Sequence, residues 1–224
     1  ALYAGCGRSN TDLVCSWMPQ SHIAGLFFRL MPVVFGARGV YLPVQAFIGD
    51  PTRWLRAISR YGATITVAPD FAYALTTRAW TEATRTQPQL HGQFDLSTLS
   101  MAVSGGEMVR ASTVSAFGQA FASCGFNPKA FHPYYGMAET MCTSVTQREP
   151  VIERAVSRNG ILGHEVRPPL DDADRLSLVG NGSPVGDSDV RIVDPGSSTE
   201  AGTDAIGEIW VRGSAVTPGY VAPG

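Results

Sequence analysis

Leu99-Ser100-Met101-Ala102-Val103-Ser104-Gly105-Gly106-Glu107 and, further along, Phe131-His132-Pro133-Tyr134-Tyr135-Gly136-Met137-Ala138-Glu139-Thr140 decide the fold. Each is a short apolar run that ends in a glycine-containing turn carrying a carboxylate. The first predicts a strand over Leu99 to Val103, the second a strand over Phe131 to Tyr134 with a helix beginning near Ala138. Between them a helical pattern runs from about Arg110 to Ala122, with Gly125 as its stop. Strand, helix, strand in this order implies parallel pairing with a helix on the sheet face.

The same alternation continues toward the N-terminus. Leu13-Val14-Cys15-Ser16-Trp17 reads as a strand, His22 to Phe35 as an apolar helix and Gly39 to Leu42 as a second strand. Asp50-Pro51 supplies a cap and a first-turn proline for a helix ending at Tyr61, with Trp54, Leu55 and Ile58 on one face and Gly62 as the stop. Ala63 to Val67 is a β-branched strand, and Pro69 to Ala83 a helix. After about Arg148 glycine, proline and aspartate crowd the chain. Val190 to Val193 and Glu208 to Val211 then alternate at period two, with Asp194-Pro195-Gly196 as a turn. The expected fold class is therefore α/β: parallel-sheet layers with packed helices over residues 1–148, then a small β-rich, barrel-like unit over 149–224, both parts of one larger domain. Asp171-Asp172-Ala173-Asp174 lacks the spacing of a calcium loop and reads as a solvated loop.

Composition narrows the function. Across 224 residues, 44% are hydrophobic and 16% charged, so the chain can bury a core. A net charge of −2 without a basic block argues against a nucleic-acid surface. The longest apolar stretch, Ile23 to Val34, carries Arg29 and Pro32 and is too short to span a bilayer. No signal peptide is read at Ala1 to Arg8. Cys6, Cys15, Cys124 and Cys142 form no C-x-x-C pair, which points to separate reduced thiols in a cytoplasmic protein. Lys129 is the single lysine beside sixteen arginines, so it alone could serve as a lysine nucleophile or cation.

In a parallel α/β sheet, ligands bind beyond the C-terminal ends of the strands, where both glycine turns fall. Glycines there admit a planar ligand, an aromatic can stack on it, and a carboxylate can hold Mg²⁺ beside a phosphate. Ser104 sits in Val-Ser-Gly-Gly, not in the Gly-x-Ser-x-Gly elbow of a hydrolase. Each turn also has a bland alternative: His22 as an ordinary helix-start histidine, Trp17 and Met137 as core, Glu139 as a first-turn helix residue.

Tyr135-Gly136-Met137-Ala138-Glu139-Thr140 resembles the Tyr-Gly-x-(Thr/Ala)-Glu signature of the superfamily of acyl-CoA synthetases, non-ribosomal-peptide adenylation domains and luciferases. Alanine at its fourth place resembles the fatty acyl-AMP ligase branch. Ser104-Gly105-Gly106-Glu107-Met108-Val109 is similar to that branch's adenine-side segment, and Ser16-Trp17-Met18-Pro19 with His22 to its segment beside the acyl pocket. Val190 to Asp194, Gly207 to Gly213 and Gly219-Tyr220 also match, so the resemblance covers nearly the whole chain. It implies ATP-dependent conversion of a fatty acid to acyl-AMP with release of pyrophosphate, then transfer to an acyl carrier protein. By matching position, Glu139 would hold Mg²⁺ and Thr140 would touch a phosphate. Ser104, Gly105, Gly106 and Glu107 would line the adenine with Tyr134, Tyr135, Gly136 and Met137. His22 would sit between the carboxylate and the phosphates. Trp17, Met18, Ile23, Gly25 and Met137 would wall the acyl site.

The branch's His-Asp-Met-Gly is His22-Ile23-Ala24-Gly25 here, without the aspartate. The resemblance further implies that the phosphate loop, the ribose-binding aspartate, and the mobile C-terminal domain with its lysine lie outside these residues, so the chain by itself is expected to be inactive. Two alternatives stand beside this reading: a fatty acyl-CoA ligase of the same fold, which passes the acyl group to coenzyme A, and a non-catalytic binding module derived from such an enzyme.

Overall fold

Five parallel strands form the centre of the molecule: β1 (Leu13–Ser16), β2 (Arg38–Tyr41), β3 (Ile65–Ala68), β4 (Met101–Ser104) and β5 (Phe131–Tyr135). The computed structural model describes residues 10–90, 92–146 and 150–220. Ala1 to Arg8 with Cys6, and the expected boundary at Arg148, lie outside the described residues. The strands lie in the order β2-β1-β3-β4-β5. β2 therefore sits on one side of β1 and β3 on the other, which makes the β1/β3 boundary the topological switch point.

β1, β3, β4 and β5 are short and apolar because both faces are covered, while β2, at the sheet edge, is half exposed. Alternation divides their side chains: Val14, Ile65, Val67, Met101 and Val103 join one cluster, Leu13, Cys15, Ala68, Ala102 and Phe131 the other. Helix α1 (Ile23–Phe35) packs Phe28 and Met31 on the first face. Helices α3 (Thr52–Tyr61), α4 (Asp70–Thr86) and α5 (Ala111–Ala120) bury Trp54, Tyr73 and Phe117 on the second. Buried polar groups there find partners in the core. Trp54 Nε1 donates to Thr66 Oγ1 at 2.8 Å, which donates to the Cys15 carbonyl at 2.7 Å.

The cap expected at Asp50 is present: its Oδ1 accepts from Thr52 N at 3.0 Å, and Gly62 closes the helix at φ +64°. A short helix, α2 (Val44–Gly49), stands where the sequence offered no periodicity. The helix expected near Ala138 is absent. The chain turns back after Gly136, Met141 adopts φ +58°, and Thr143 N donates to the Tyr135 carbonyl at 2.9 Å. That reversal lays β6 (Ser144–Val145) antiparallel on β5, and β9 (Ser183–Pro184) antiparallel on β6.

Beyond this sheet, β7 (Glu153–Ser157) and β8 (Arg175–Val179) form an antiparallel pair joined through α6 (Arg158–Leu162). The period-two segments pair antiparallel as β10 (Asp189–Asp194) and β12 (Glu208–Arg212), with β11 (Thr199–Glu200) on the other side of β10. Asp174 corrects the solvated-loop expectation. Its side chain is buried and accepts from Asn159 N at 3.0 Å and Leu170 N at 3.1 Å, and these backbone donors hold its carboxyl down to about 2. The aspartate ties the β7–β8 connection together. Cys15, Cys124 and Cys142 form no disulfide among the described residues. No described helix is long and apolar enough to cross a membrane.

Candidate functional site

The C-terminal ends of β1, β3, β4 and β5 open onto one cleft beside the switch point. Trp17, Met18 and Pro19 come from the end of β1, Ala68 and Pro69 from β3, Gly105 and Gly106 from β4, and Tyr134 from β5. His22 and Ala24 at the start of α1, with Val44 and Phe71, complete the wall. A narrow apolar cavity adjoins it on the α1 face of the sheet. Ile23, Phe27, Phe28, Met101, Val103, Met141, Cys142 and Val145 line this cavity, and Ala24 and Tyr134 belong to both spaces.

Backbone conformation explains the two glycines after β4. A Cβ on Gly105 would lie 2.4 Å from the Tyr134 ring, so the strand end and the ring touch only because that atom is missing. Gly106 has φ +80° and nothing near its missing Cβ, which leaves its cleft side open. Gly136 behaves differently. Its Cβ would fall 1.9 Å from the Met141 carbonyl oxygen, so this glycine serves the reversal of its own chain rather than the approach of a ligand.

His22 caps α1: its Nδ1 accepts from Ala24 N at 3.2 Å. A ring nitrogen that accepts carries no proton, so the neutral imidazole keeps its hydrogen on Nε2 and presents a donor there. The capping role and the donor role thus coexist in one side chain. Trp17 stacks on Phe47 with centroids 3.8 Å apart. Its Nε1 and the Oγ of Ser104 are buried and have no hydrogen-bond partner among the described residues. Of the two, Trp17 belongs to the cleft wall, where an orphaned donor fits a polar ligand. Tyr134 and Tyr135 point to opposite faces of β5. Tyr134 walls both spaces, and burial, with Cys142 nearby, pushes its phenol up to about 12. Tyr135 lines neither.

Several predicted residues act within the scaffold. Glu107 is not among the lining residues of the cleft; it accepts from Phe71 N at 2.7 Å, capping α4. Thr140 pairs its hydroxyl with that of Thr143 at 2.8 Å. Gly25 is pressed on the Pro19 carbonyl oxygen, 2.0 Å from where its Cβ would be. Met137 lines neither space. Glu139 Oε1 accepts from the Tyr220 hydroxyl, and this bond first, then its own backbone, holds its carboxyl below the ordinary value. The partnership with Tyr220 was not foreseen from sequence, because 81 residues separate the two. Met101 and Val103 were missed as cavity walls, although their alternation on a strand places them on one face. Lys129 lies in a 3-10 turn, Pro128–Ala130, that leads into β5, at the end of the sheet opposite the cleft.

This architecture matches a known fold closely. A fatty acyl-adenylate ligase of Legionella pneumophila, solved with acyl adenylate and pyrophosphate, superposes with a TM-score of 0.87 at 29% identity, over 98% of this chain and 38% of that one. A medium-chain fatty acid–acyl carrier protein ligase of Teredinibacter turnerae is 34% identical over 92% of this chain and 32% of its own length. A long-chain fatty acid–AMP ligase of Mycobacterium bovis is 32% identical over 94% of this chain and 36% of its own. The chain thus spans about a third of the length of the curated relatives it matches. The AMP-binding enzyme family matches residues 2–221. With a mixed α/β fold, a parallel-dominated sheet and a cleft at its switch point, the chain belongs to the AMP-binding enzyme family.

Proposed function

We propose that the protein activates a fatty acid with ATP, forming acyl-AMP, and passes the acyl group to an acyl carrier protein in the cytoplasm. The observation that carries this reading is the pair of neighbouring spaces: a cleft at the strand ends with the orphaned Trp17 Nε1 in its wall, and an apolar cavity that shares Ala24 and Tyr134 with it. A nucleotide suits the first and a hydrocarbon chain the second. Their junction is where a carboxylate and an α-phosphate would meet. A carboxylate oxygen bonds to the α-phosphorus, the bond to the bridging oxygen of the β-phosphate breaks, and pyrophosphate leaves with the electron pair. Such a substitution depends on alignment and on relief of negative charge more than on covalent help. In this reading the start of α1 and His22 Nε2–H donate toward the anions, and Gly106 leaves the adenine side open. Residues 10–146 supply both spaces, and the β-rich remainder closes over the turn at Gly136.

Mg²⁺ fits the donor set in one way. No three His, Cys, Asp or Glu side chains converge among the described residues, so Glu139 would be the single protein carboxylate, with phosphate oxygens and water completing the shell. When bound, the ion would neutralise phosphate charge.

The test uses the complete protein with decanoic acid, Mg²⁺ and ATP labelled at the α-phosphate, with and without coenzyme A. Labelled acyl-AMP that accumulates and survives coenzyme A supports the reading. Conversion to acyl-CoA assigns the protein to the ligases that use coenzyme A, and no labelled adenylate at all overturns the activity. Chain-length selection should answer to Met101, which lies at the N-terminal end of β4, roughly 10 Å from Ser104 at the strand's rise per residue. Met101→Trp should shift the preferred acid toward shorter chains by about tenfold in relative kcat/KM, at a stability cost of about 1–3 kcal/mol. An unchanged chain-length profile would remove the cavity from the acyl path.

A further inference from the structure

After β12 the chain runs back across the molecule as a strap. Asp187 fixes one end, accepting from Ser214 N at 2.9 Å and from Ser214 Oγ at 3.1 Å. The other end lies on the turn that follows β5, where Thr217 N donates to the Glu139 carbonyl at 2.8 Å and the Tyr220 hydroxyl donates to Glu139 Oε1. Tyr220 is 85% exposed, so burial does little to place its ring. Its hydroxyl reaches the carboxylate instead. Gly219 precedes it at φ +152°, a conformation that other residues rarely adopt, and so sets the direction of the tyrosine. A carboxylate has two oxygens, and with Oε1 engaged, Oε2 carries the remaining acceptor capacity.

We infer that Tyr220 is a positioning residue that orients the Glu139 carboxylate for a divalent cation, and that the strap from Ser214 to Tyr220 couples the β-rich part of the chain to that carboxylate. The inference rests on the reading of Glu139 as the cation-holding carboxylate. Outer partners of this kind fix the direction of a ligand's lone pairs, and their removal weakens metal binding by about 10–100-fold. Thr217 holds the main chain of the turn and Tyr220 its side chain, so the strap fixes both the position and the aim of Glu139.

The experiment measures Mn²⁺ affinity by electron paramagnetic resonance, using the complete protein saturated with a non-hydrolysable ATP analogue, for the parent, Tyr220→Phe and Glu139→Gln. Tyr220→Phe is expected to weaken Mn²⁺ binding about tenfold. It should also lower kcat for adenylation while leaving KM for the fatty acid and the thermal midpoint unchanged, because only an exposed hydroxyl is removed. Mn²⁺ binding weakened in Glu139→Gln but unchanged in Tyr220→Phe overturns the positioning role and leaves the cation reading intact. Binding unchanged in both overturns the cation reading, and the positioning role with it.

Discussion

Asp70→Ala should destabilise the fold by about 2–3 kcal/mol, because three donors lose a fully buried acceptor at once. Asp70 opens α4 and accepts from Arg110 N at 3.0 Å, from Arg110 Nη1 at 2.7 Å and from Thr113 Oγ1 at 3.1 Å. The Arg110 side chain is 57% exposed, so water recovers part of the charge interaction and the loss stays below that of a fully buried pair. Arg110 N and Thr113 have less recourse: they sit where α5 begins, and α4 and α5 pack together over the second face of the sheet. For a protein of this size each kcal/mol lowers the midpoint by about 2–4 °C, so thermal unfolding should begin roughly 5–10 °C earlier. Asp70→Asn keeps one acceptor oxygen, which can serve the two donors that share Oδ2, Arg110 Nη1 and Thr113 Oγ1, and should lose about half as much. A midpoint for Asp70→Ala within about 1 °C of the parent would show that α4 and α5 are held by their apolar contacts alone.

The second large effect falls on catalysis. Gly136→Ala places a Cβ on the Met141 carbonyl oxygen, with the Met141 carbonyl carbon 2.9 Å and Cys142 Cα 3.1 Å away. All three are backbone atoms, which cannot swing aside as a side-chain tip would. The reversal from β5 to β6 must widen, and it carries Glu139 and Thr140 with it. Displacement of a reacting or charge-bearing group by about 1 Å costs about 100-fold, so adenylate formation should fall by at least that factor, with about 1–3 kcal/mol of stability lost. Gly92→Ala is the matched control. It adds the same atom into open space in a loop that lines neither the cleft nor the cavity, and costs only the strain of φ +77°, about 1–2 kcal/mol. Labelled adenylate produced by Gly136→Ala at more than about a third of the parent rate would refute the link between this turn and the chemistry.

The parallel strands were legible because burial on both faces writes itself as apolar runs, and because helix stops such as Gly62 and Gly125 are local signals. β1 through β5 fall within two residues of their expected C-terminal ends. What the sequence hid is what depends on distant partners. β6 and β9 have two residues each, too few to show a period, and exist because Thr143 and Val185 complete the sheet edge through backbone bonds. Residues from Ala138 onward looked helical, with a glycine before them and a glutamate among them. The Thr140–Thr143 hydroxyl pair and the left-handed Met141 won over that propensity. At the site, the strand-end positions were readable while side-chain direction was not. Glu107 had a helix N-terminus within reach and capped it, and the alternation of β5 gave the wall of the apolar cavity to Tyr134 rather than Tyr135.

The single lysine offers a practical consequence. Within this chain, Lys129 is exposed and stands at the end of the sheet remote from the cleft. An amine-directed fluorophore or surface linker would therefore attach there, or at a terminal amine, without obstructing either space. A chain tethered through Lys129 would hold its strand ends toward the solvent.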